Sequence, residues 1–167
     1  MGLELADDGY LIIKSFLSHG ECEDLIDFFK TQDPVEAEFY HNDGKKTDYG
    51  TRKSDIVWIE KGKLNWIHSR ISLTTGGREL TDRLQLTRYE MGGHFVWHPD
   101  YVKGRNERSL SVSIVLNSAF SGGEFEFKYC DVPELKTGDA IFFDSKKWHR
   151  VTPVILGERY SLVGWFK

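Results

Sequence analysis

The sequence predicts a mainly β domain, a sandwich or barrel, with two helices packed against the outside of one sheet. Three observations predict it. From Leu84 onward, short apolar runs or runs alternating in polarity recur with Gly, Asn, Asp or Pro in most of the gaps, which is strand-and-turn patterning. Before them lie two stretches with apolar residues at helical spacing. The aromatic share is 14%, high enough to suit a β-rich core of large flat side chains.

Residues 10–17 (YLIIKSFL) read as an apolar strand. A helix follows: Ser18 and Glu21 fit a capping box, Leu25, Ile26, Phe28 and Phe29 form its apolar stripe, and Pro34 lies just past its end. Residues 41–50 (HNDGKKTDYG) are polar and glycine-containing, so a mobile loop is expected. DIVWIE reads as a strand. Leu64, Ile67 and Ile71 place a second helix over 61–73, ended by Thr74-Thr75-Gly76-Gly77. Seven further strands are expected in LQLTRYE, HFVWHPD, SLSVSIVLN, GEFEFKY, DAIFFD, WHRVTPV and RYSLVGWF. All this fits one domain over 1–167, with 1–83 as helical support and 84–167 as the β core.

Composition excludes several functions. With 40% hydrophobic and 29% charged residues, and no apolar run of membrane length, no membrane span is expected. The N-terminus carries three acids by position 8 and no basic segment, so no signal peptide is expected; Gly2 lacks the Ser/Thr context of a myristoylation site. Net charge is -4, and Lys103, Arg105 and Arg108 make only a modest basic cluster, so a nucleic-acid partner is not expected. Cys22 and Cys130 lack metal or redox spacing, which points to free thiols in a reducing, cytoplasmic compartment. No feature fixes an oligomeric state.

One constellation carries chemistry. His98 and Asp100 lie two apart, so an extended strand points both to one face, where an imidazole nitrogen and a carboxylate oxygen can reach one ion. His149, opening a later strand after a polar turn, would complete a three-ligand face that leaves three octahedral positions open. His94 shares strand parity with the pair, but four residues of extended chain put it about 13 Å away. His19 and His68 fall in helices and His41 in a loop. Ten residues after His149 comes Arg159, in a strand apolar on both faces. Arg159, Ser161, Val163 and Trp165 share one face; Tyr160, Leu162 and Phe166 share the other. A buried guanidinium needs a carboxylate in its fork, either a protein acid or a ligand.

Taken in order, Tyr89, His98-Pro99-Asp100, Gly122-Gly123-Glu124-Phe125, Gly138-Asp139-Ala140, His149-Arg150-Val151 and Arg159-Tyr160-Ser161 resemble the 2-oxoglutarate/Fe(II) oxygenase superfamily, and within it the prolyl 4-hydroxylase branch. The likeness is dense over 84–167, and Thr51–Glu60 is similar to an upstream segment of hypoxia-factor-type prolyl hydroxylases. It implies a double-stranded β-helix, a squashed jelly-roll barrel of two antiparallel sheets. It implies Fe(II) held by His98, Asp100 and His149, with 2-oxoglutarate held through its distal carboxylate by Arg159 and by a hydrogen bond from Tyr89. Ser161 matches an Arg-x-Ser variant of other branches. The second tyrosine that prolyl hydroxylases often carry in the strand matching SVSIVLN is missing, so that contact must be replaced or lost. A carboxylate at Asp100 favours hydroxylation over halogenation. The products would be succinate and CO2 from O2 and 2-oxoglutarate, with ascorbate as a reductant, and the substrate a peptide or protein, prolyl residues first. The loops 41–50 and 101–108 would close over it, with Arg52, Asp55 and Trp97 lining the route. A small-molecule or nucleic-acid-base oxygenase, and a non-catalytic β-sandwich binding module, stay open at this point.

Overall fold

The computed structural model describes residues 2–41, 44–104 and 106–167. Its elements in chain order are β1 (Tyr10–Ile13), α1 (His19–Lys30), β2 (Val35–Glu36), β3 (Phe39–His41), β4 (Gly44–Lys46), β5 (Arg52–Lys53), β6 (Asp55–Ile59) and α2 (Asn65–Thr74). They continue as β7 (Leu84–Tyr89), β8 (His94–His98), β9 (Leu110–Val115), β10 (Phe120–Gly122), β11 (Phe125–Phe127), β12 (Ala140–Asp144), β13 (His149–Val151), β14 (Val154–Gly157) and β15 (Arg159–Phe166).

Two sheets dominate. The larger has seven strands in the order β1-β12-β9-β15-β7-β6-β2, and the smaller has four in the order β11-β13-β8-β5. Every pairing in both is antiparallel. Short pairs β10-β14 and β3-β4 complete the set. This is the expected double-stranded β-helix. The helices cover the outer face of the large sheet. Leu25 and Phe29 of α1, with Ile67 and Ile71 of α2, share one buried cluster with Leu84, Leu86, Val112, Ile114, Leu162 and Phe166. Burying that much aliphatic and aromatic surface is the main force holding the two layers together.

The capping box forms as the sequence requires: the Ser18 hydroxyl accepts from the Glu21 N–H, and the Glu21 carboxylate accepts from the Ser18 N–H. The second helix begins at Asn65, later than expected, because Gly62 and Leu64 take left-handed backbone (φ 93° and 48°) that a helix cannot include. The first strand stops at Ile13, since Ser15 is also left-handed (φ 50°) with its N–H held by the Asp139 carboxylate. The segment expected as a mobile loop holds strand structure at its start: β3 pairs with β4, Phe39 opposite Lys46 and His41 opposite Gly44. The Asn-Asp-Gly string there is a hairpin-turn sequence as much as a loop one; Asn42 and Asp43 lie outside the described residues. WHRVTPV divides into β13 and β14 because Pro153, with no N–H, interrupts pairing. Among the described residues, no helix is long and apolar enough to cross a membrane.

Candidate active site

The interior between the two sheets is where the chemistry-bearing side chains meet. His98 closes β8 and His149 opens β13; the two are direct partners in the smaller sheet. Between His149/His98 and Val151/Phe95 the register slips, with an extra residue on β8. This bulge breaks the alternation, so Phe95, three residues before His98, lies flat on its imidazole, ring centroids 3.4 Å apart and planes at 14°. His94, the parity rival, is left half-buried and faces backbone carbonyls of Gly92 and Gly50 (3.1 and 3.3 Å).

Asp100 follows β8 with its N–H on the Ser145 carbonyl (2.9 Å). Its Oδ1 lies 3.6 Å from His98 Nε2 and 3.5 Å from His149 Nε2. One donor atom from each residue falls within 4.8 Å of the others, the spacing of a shared ion's ligands. His98, Asp100 and His149 are 5%, 8% and 6% exposed. Each imidazole places Nδ1 against a backbone carbonyl, His98 on Val96 (2.7 Å) and His149 on Lys147 (2.9 Å). Those contacts fix Nδ1 as the protonated nitrogen and leave Nε2 as a lone-pair donor. Burial, with the His149 ring beside it, holds His98 well below its ordinary pKa, so it stays neutral. Burial pushes Asp100 up, but His149, His98 and the Ser111 hydroxyl overcome it, and the carboxylate titrates below its usual value. Two imidazole nitrogens and one carboxylate oxygen, brought together in this way, are a donor set that suits a ferrous ion.

Aromatic rings keep this cluster dry: Phe125 stacks on His149 (5.5 Å) and Phe143 meets it edge-on (4.8 Å). Phe125 also lines a cavity of about 910 Å³ whose wall includes Val115, Trp97 and Arg159. His98, Asp100 and His149 are not among the residues that line it; Phe125, which does, stacks on His149.

Arg159 opens β15, opposite Tyr89 on β7, with its guanidinium carbon 5.6 Å from that ring. It is 2% exposed. Among the described residues no carboxylate pairs with it, and burial alone drives its pKa down. Gly123 makes room for it: its backbone is left-handed (φ 59°), and an added Cβ would stand 3.1 Å from the Arg159 Cδ and 3.0 Å from Val154. Gly123 is therefore a packing requirement of the arginine, whereas a Cβ at Gly122 would meet the Pro153 carbonyl (2.3 Å). Ser161 lies on the same face, buried, opposite Thr87.

The other sequence candidates fall in three places. Arg52 is buried inside the barrel, donating to Ser54 Oγ and Gln85 Oε1 (both 2.9 Å) and lying 4.6 Å over Phe95. Asp55 is held by Arg88 at 2.7 Å, and Arg88 in turn lies over Phe29 of α1, away from the cavity. Trp97 is half-buried under Arg150 (4.5 Å) and reaches the cavity wall. Sequence reasoning missed Ser111 and Ser145, which bond behind Asp100. Alternating serines in SLSVSIV are the trace that a polar interior face leaves; Ser145, in a turn, leaves none.

Residues 84–167 match the family model of the 2OG-Fe(II) oxygenase superfamily. The chain is 27% identical to a probable prolyl 4-hydroxylase 10 of Arabidopsis thaliana, over 93% of this chain and 68% of that protein. It is 33% identical to a PKHD-type hydroxylase of Synechococcus sp. (strain CC9605), over 50% of this chain and 41% of that protein. In structure it is similar to a Trichoplax adhaerens prolyl hydroxylase solved with a hypoxia inducible factor peptide fragment (TM-score 0.77, 19% identity, covering 96% of this chain and 84% of that one). It is also similar to a Pseudomonas putida prolyl-4-hydroxylase (TM-score 0.72, 22% identity, 95% and 92%). At these identities the structural likeness is one of fold.

Proposed function

The chain belongs to the 2OG-Fe(II) oxygenase superfamily, and on that premise we propose that residues 1–167 form one catalytic unit that hydroxylates a prolyl residue of a peptide or protein. The observation that carries this reading is a buried guanidinium, Arg159, with no carboxylate of the described residues in its fork, in the same interior as a buried His/Asp/His cluster. A buried cation without a counter-charge is costly, so a site of this kind is built for an anion that arrives. A small diacid meets the need: one carboxylate for Arg159, the other end for a metal.

In this reading His98, Asp100 and His149 hold Fe(II), and Arg159 takes the distal carboxylate of 2-oxoglutarate with help from Tyr89 and Ser161. The donor set fits, since both Nε2 atoms and one carboxylate oxygen converge while each Nδ1 is fixed on backbone. When bound, the iron with O2 and 2-oxoglutarate supplies the oxidant that places one oxygen atom on a substrate carbon, the co-substrate leaving as succinate and CO2; ascorbate serves as reductant. The protein positions and dries. Phe95, Phe125 and Phe143 exclude water around the imidazoles. Val115 stands on the strand where prolyl hydroxylases often carry a second tyrosine, and it borders the cavity beside Arg159. The contact that tyrosine would make falls to Tyr89 and Ser161.

Two segments flank the site and support a peptide substrate. Phe39, at the base of the β3-β4 hairpin, meets Phe95 edge-on at 5.6 Å. In the 101–108 loop, Asn106 donates to the Asp100 carbonyl (3.0 Å) and Arg108 lies 3.8 Å over Trp165; Arg105 lies outside the described residues. Free Cys22 and Cys130 suit a reducing, cytoplasmic setting.

The test is turnover of a proline-rich peptide panel with Fe(II), 2-oxoglutarate and ascorbate, read by mass. A peptide gaining one oxygen, with succinate formed in step and both lost in His149→Ala, is expected. Succinate without peptide oxidation would move the substrate to another class. No succinate, and no stabilisation by Mn(II) plus 2-oxoglutarate, would leave a binding module.

A further inference from the structure

Behind Asp100 lies a chain of two fully buried hydroxyls that the reaction does not itself require. Ser111 Oγ is 2.7 Å from Asp100 Oδ2, and Ser145 Oγ is 2.8 Å from Ser111 Oγ. Both serines are 0% exposed. The proton order follows from chemistry. An ionised carboxylate only accepts, so Ser111 must donate to Asp100. Its one proton is then spent, so Ser145 must donate to Ser111. The chain therefore runs Ser145 to Ser111 to Asp100, and it ends on Oδ2, whereas Oδ1 is the oxygen that faces both imidazoles.

We propose that Ser111 and Ser145 are positioning residues that commit one oxygen of Asp100 to the protein, so that the carboxylate offers a metal a single oxygen. The proposal rests on the metal reading above and says how that site keeps its open positions. A carboxylate free to turn about its Cβ–Cγ bond can bind an ion through both oxygens. That would occupy one of the three positions that the co-substrate and O2 need. A charge-assisted hydrogen bond in a water-free interior opposes the turn.

Ser145 also ties the two metal-bearing segments together. Its carbonyl accepts from the N–H groups of Asp100 (2.9 Å) and Tyr101 (2.8 Å), and its own N–H donates to the Ser109 carbonyl (3.1 Å). It stands in the turn between β12 and β13, four residues before His149. One turn thus sets the Asp100 backbone, its far oxygen through Ser111, and the approach of His149.

The experiment compares wild type with Ser111→Ala, Ser145→Ala and Ser111→Thr. Mn(II) affinity is read by electron paramagnetic resonance, the anaerobic charge-transfer band of the Fe(II)–2-oxoglutarate chelate by absorbance, and metal-free melting in parallel. Losing a group that orients a metal ligand weakens metal binding by about 10–100-fold, and Ser111→Ala should fall in that range. Its chelate band should weaken, Ser145→Ala should show the same changes to a lesser degree, and Ser111→Thr, which keeps the donor, should stay near wild type. Should Ser111→Ala fail to fold, Ser145→Ala carries the test. Unchanged Mn(II) affinity and an unchanged band in the alanine variants, whatever their melting temperature, would overturn the proposal and leave the hydroxyls a packing role. Wild type that binds no Mn(II) would overturn the metal reading itself, and this proposal with it.

Discussion

The central strands β7, β9 and β15 bury both of their faces, and the two faces share almost no chemistry. Toward the helices they present Leu84 and Leu86, Leu110, Val112 and Ile114, Tyr160, Leu162 and Phe166. Toward the smaller sheet they present Gln85, Thr87 and Tyr89, Ser111, Ser113 and Val115, Arg159, Ser161 and Trp165. Burial is nearly equal: Leu162 is 0% exposed and Arg159, three residues away, is 2%. Burial alone therefore does not tell a core from a site; the cost of what is buried does. Leucine leaves water at a gain. A guanidinium leaves water at a loss and needs compensation from a partner. One face stabilises the fold, and the other is stable because the first pays for it.

The comparison is sharpest at Arg159. With its guanidinium removed in Arg159→Met, 2-oxoglutarate should lose about 2–5 kcal/mol of binding, roughly 30-fold or more in affinity, as for truncating one side of a buried charged pair. Without ligand the same variant should melt no lower than wild type, because no carboxylate among the described residues is left stranded. Calorimetric titration in Mn(II) and thermal unfolding in its absence give the two halves. A variant that melts markedly lower would mean that the guanidinium is a structural group, and the division of the strand into two roles would break.

The opposite face makes the converse prediction. Leu162→Ala on the same strand should cost about 2–5 kcal/mol of stability, the range for deleting a buried leucine side chain into a packed core. Urea unfolding measures it. The protein that remains folded should bind 2-oxoglutarate with unchanged affinity, since Leu162 points into the helix layer. A fall in affinity that tracks the fall in stability would show that the faces are coupled.

How much of this the sequence could reveal follows the same division. The helix-facing half announces itself by period: Leu25 and Phe29, or Leu84 and Leu86, repeat at the spacing their element demands. The meeting of His98, Asp100 and His149 was legible because an i, i+2 spacing can turn two side chains to one side and His149 opens another strand, although Asp100 itself lies just past the end of β8. It needed no knowledge of the bulge that brings Phe95 onto His98. Arg159 was legible as a charge in an apolar strand. What stayed hidden are contacts between distant segments that no local pattern encodes. Ser145 reaches Asp100 through Ser111, and Arg52 leaves the surface route for a bond to Gln85. The short strands β2, β5 and β10, of two or three residues each, are held by register with neighbours and carry no periodicity of their own. The pairing of β3 with β4 was hidden for another reason: a turn-forming string looks the same whether or not strands flank it.

The smallest expected effect concerns how the helix layer is tied together at its polar edge. Arg70 of α2 clasps the Glu21 carboxylate of α1 through two hydrogen bonds (2.6 and 2.7 Å). Arg70, then the Ser18 N–H, holds the Glu21 pKa down to about 2, below its ordinary 4.5. A carboxyl group depressed in the folded state contributes stability above its unfolded pKa and loses it as pH falls. The window here runs from about 4.5 down to about 2. The pair is 38% and 29% exposed, so water screens it and about 1 kcal/mol or less is at stake. Melting temperatures of wild type and Glu21→Gln should therefore differ slightly near neutral pH, draw together below about 4.5 and converge only as pH falls to about 2. A gap that persists into acid would mean that Glu21 acts by packing, or by capping Ser18 in its neutral form. The weak edge of the helix layer would then owe nothing to charge, and would differ from the interior face in kind as well as in size.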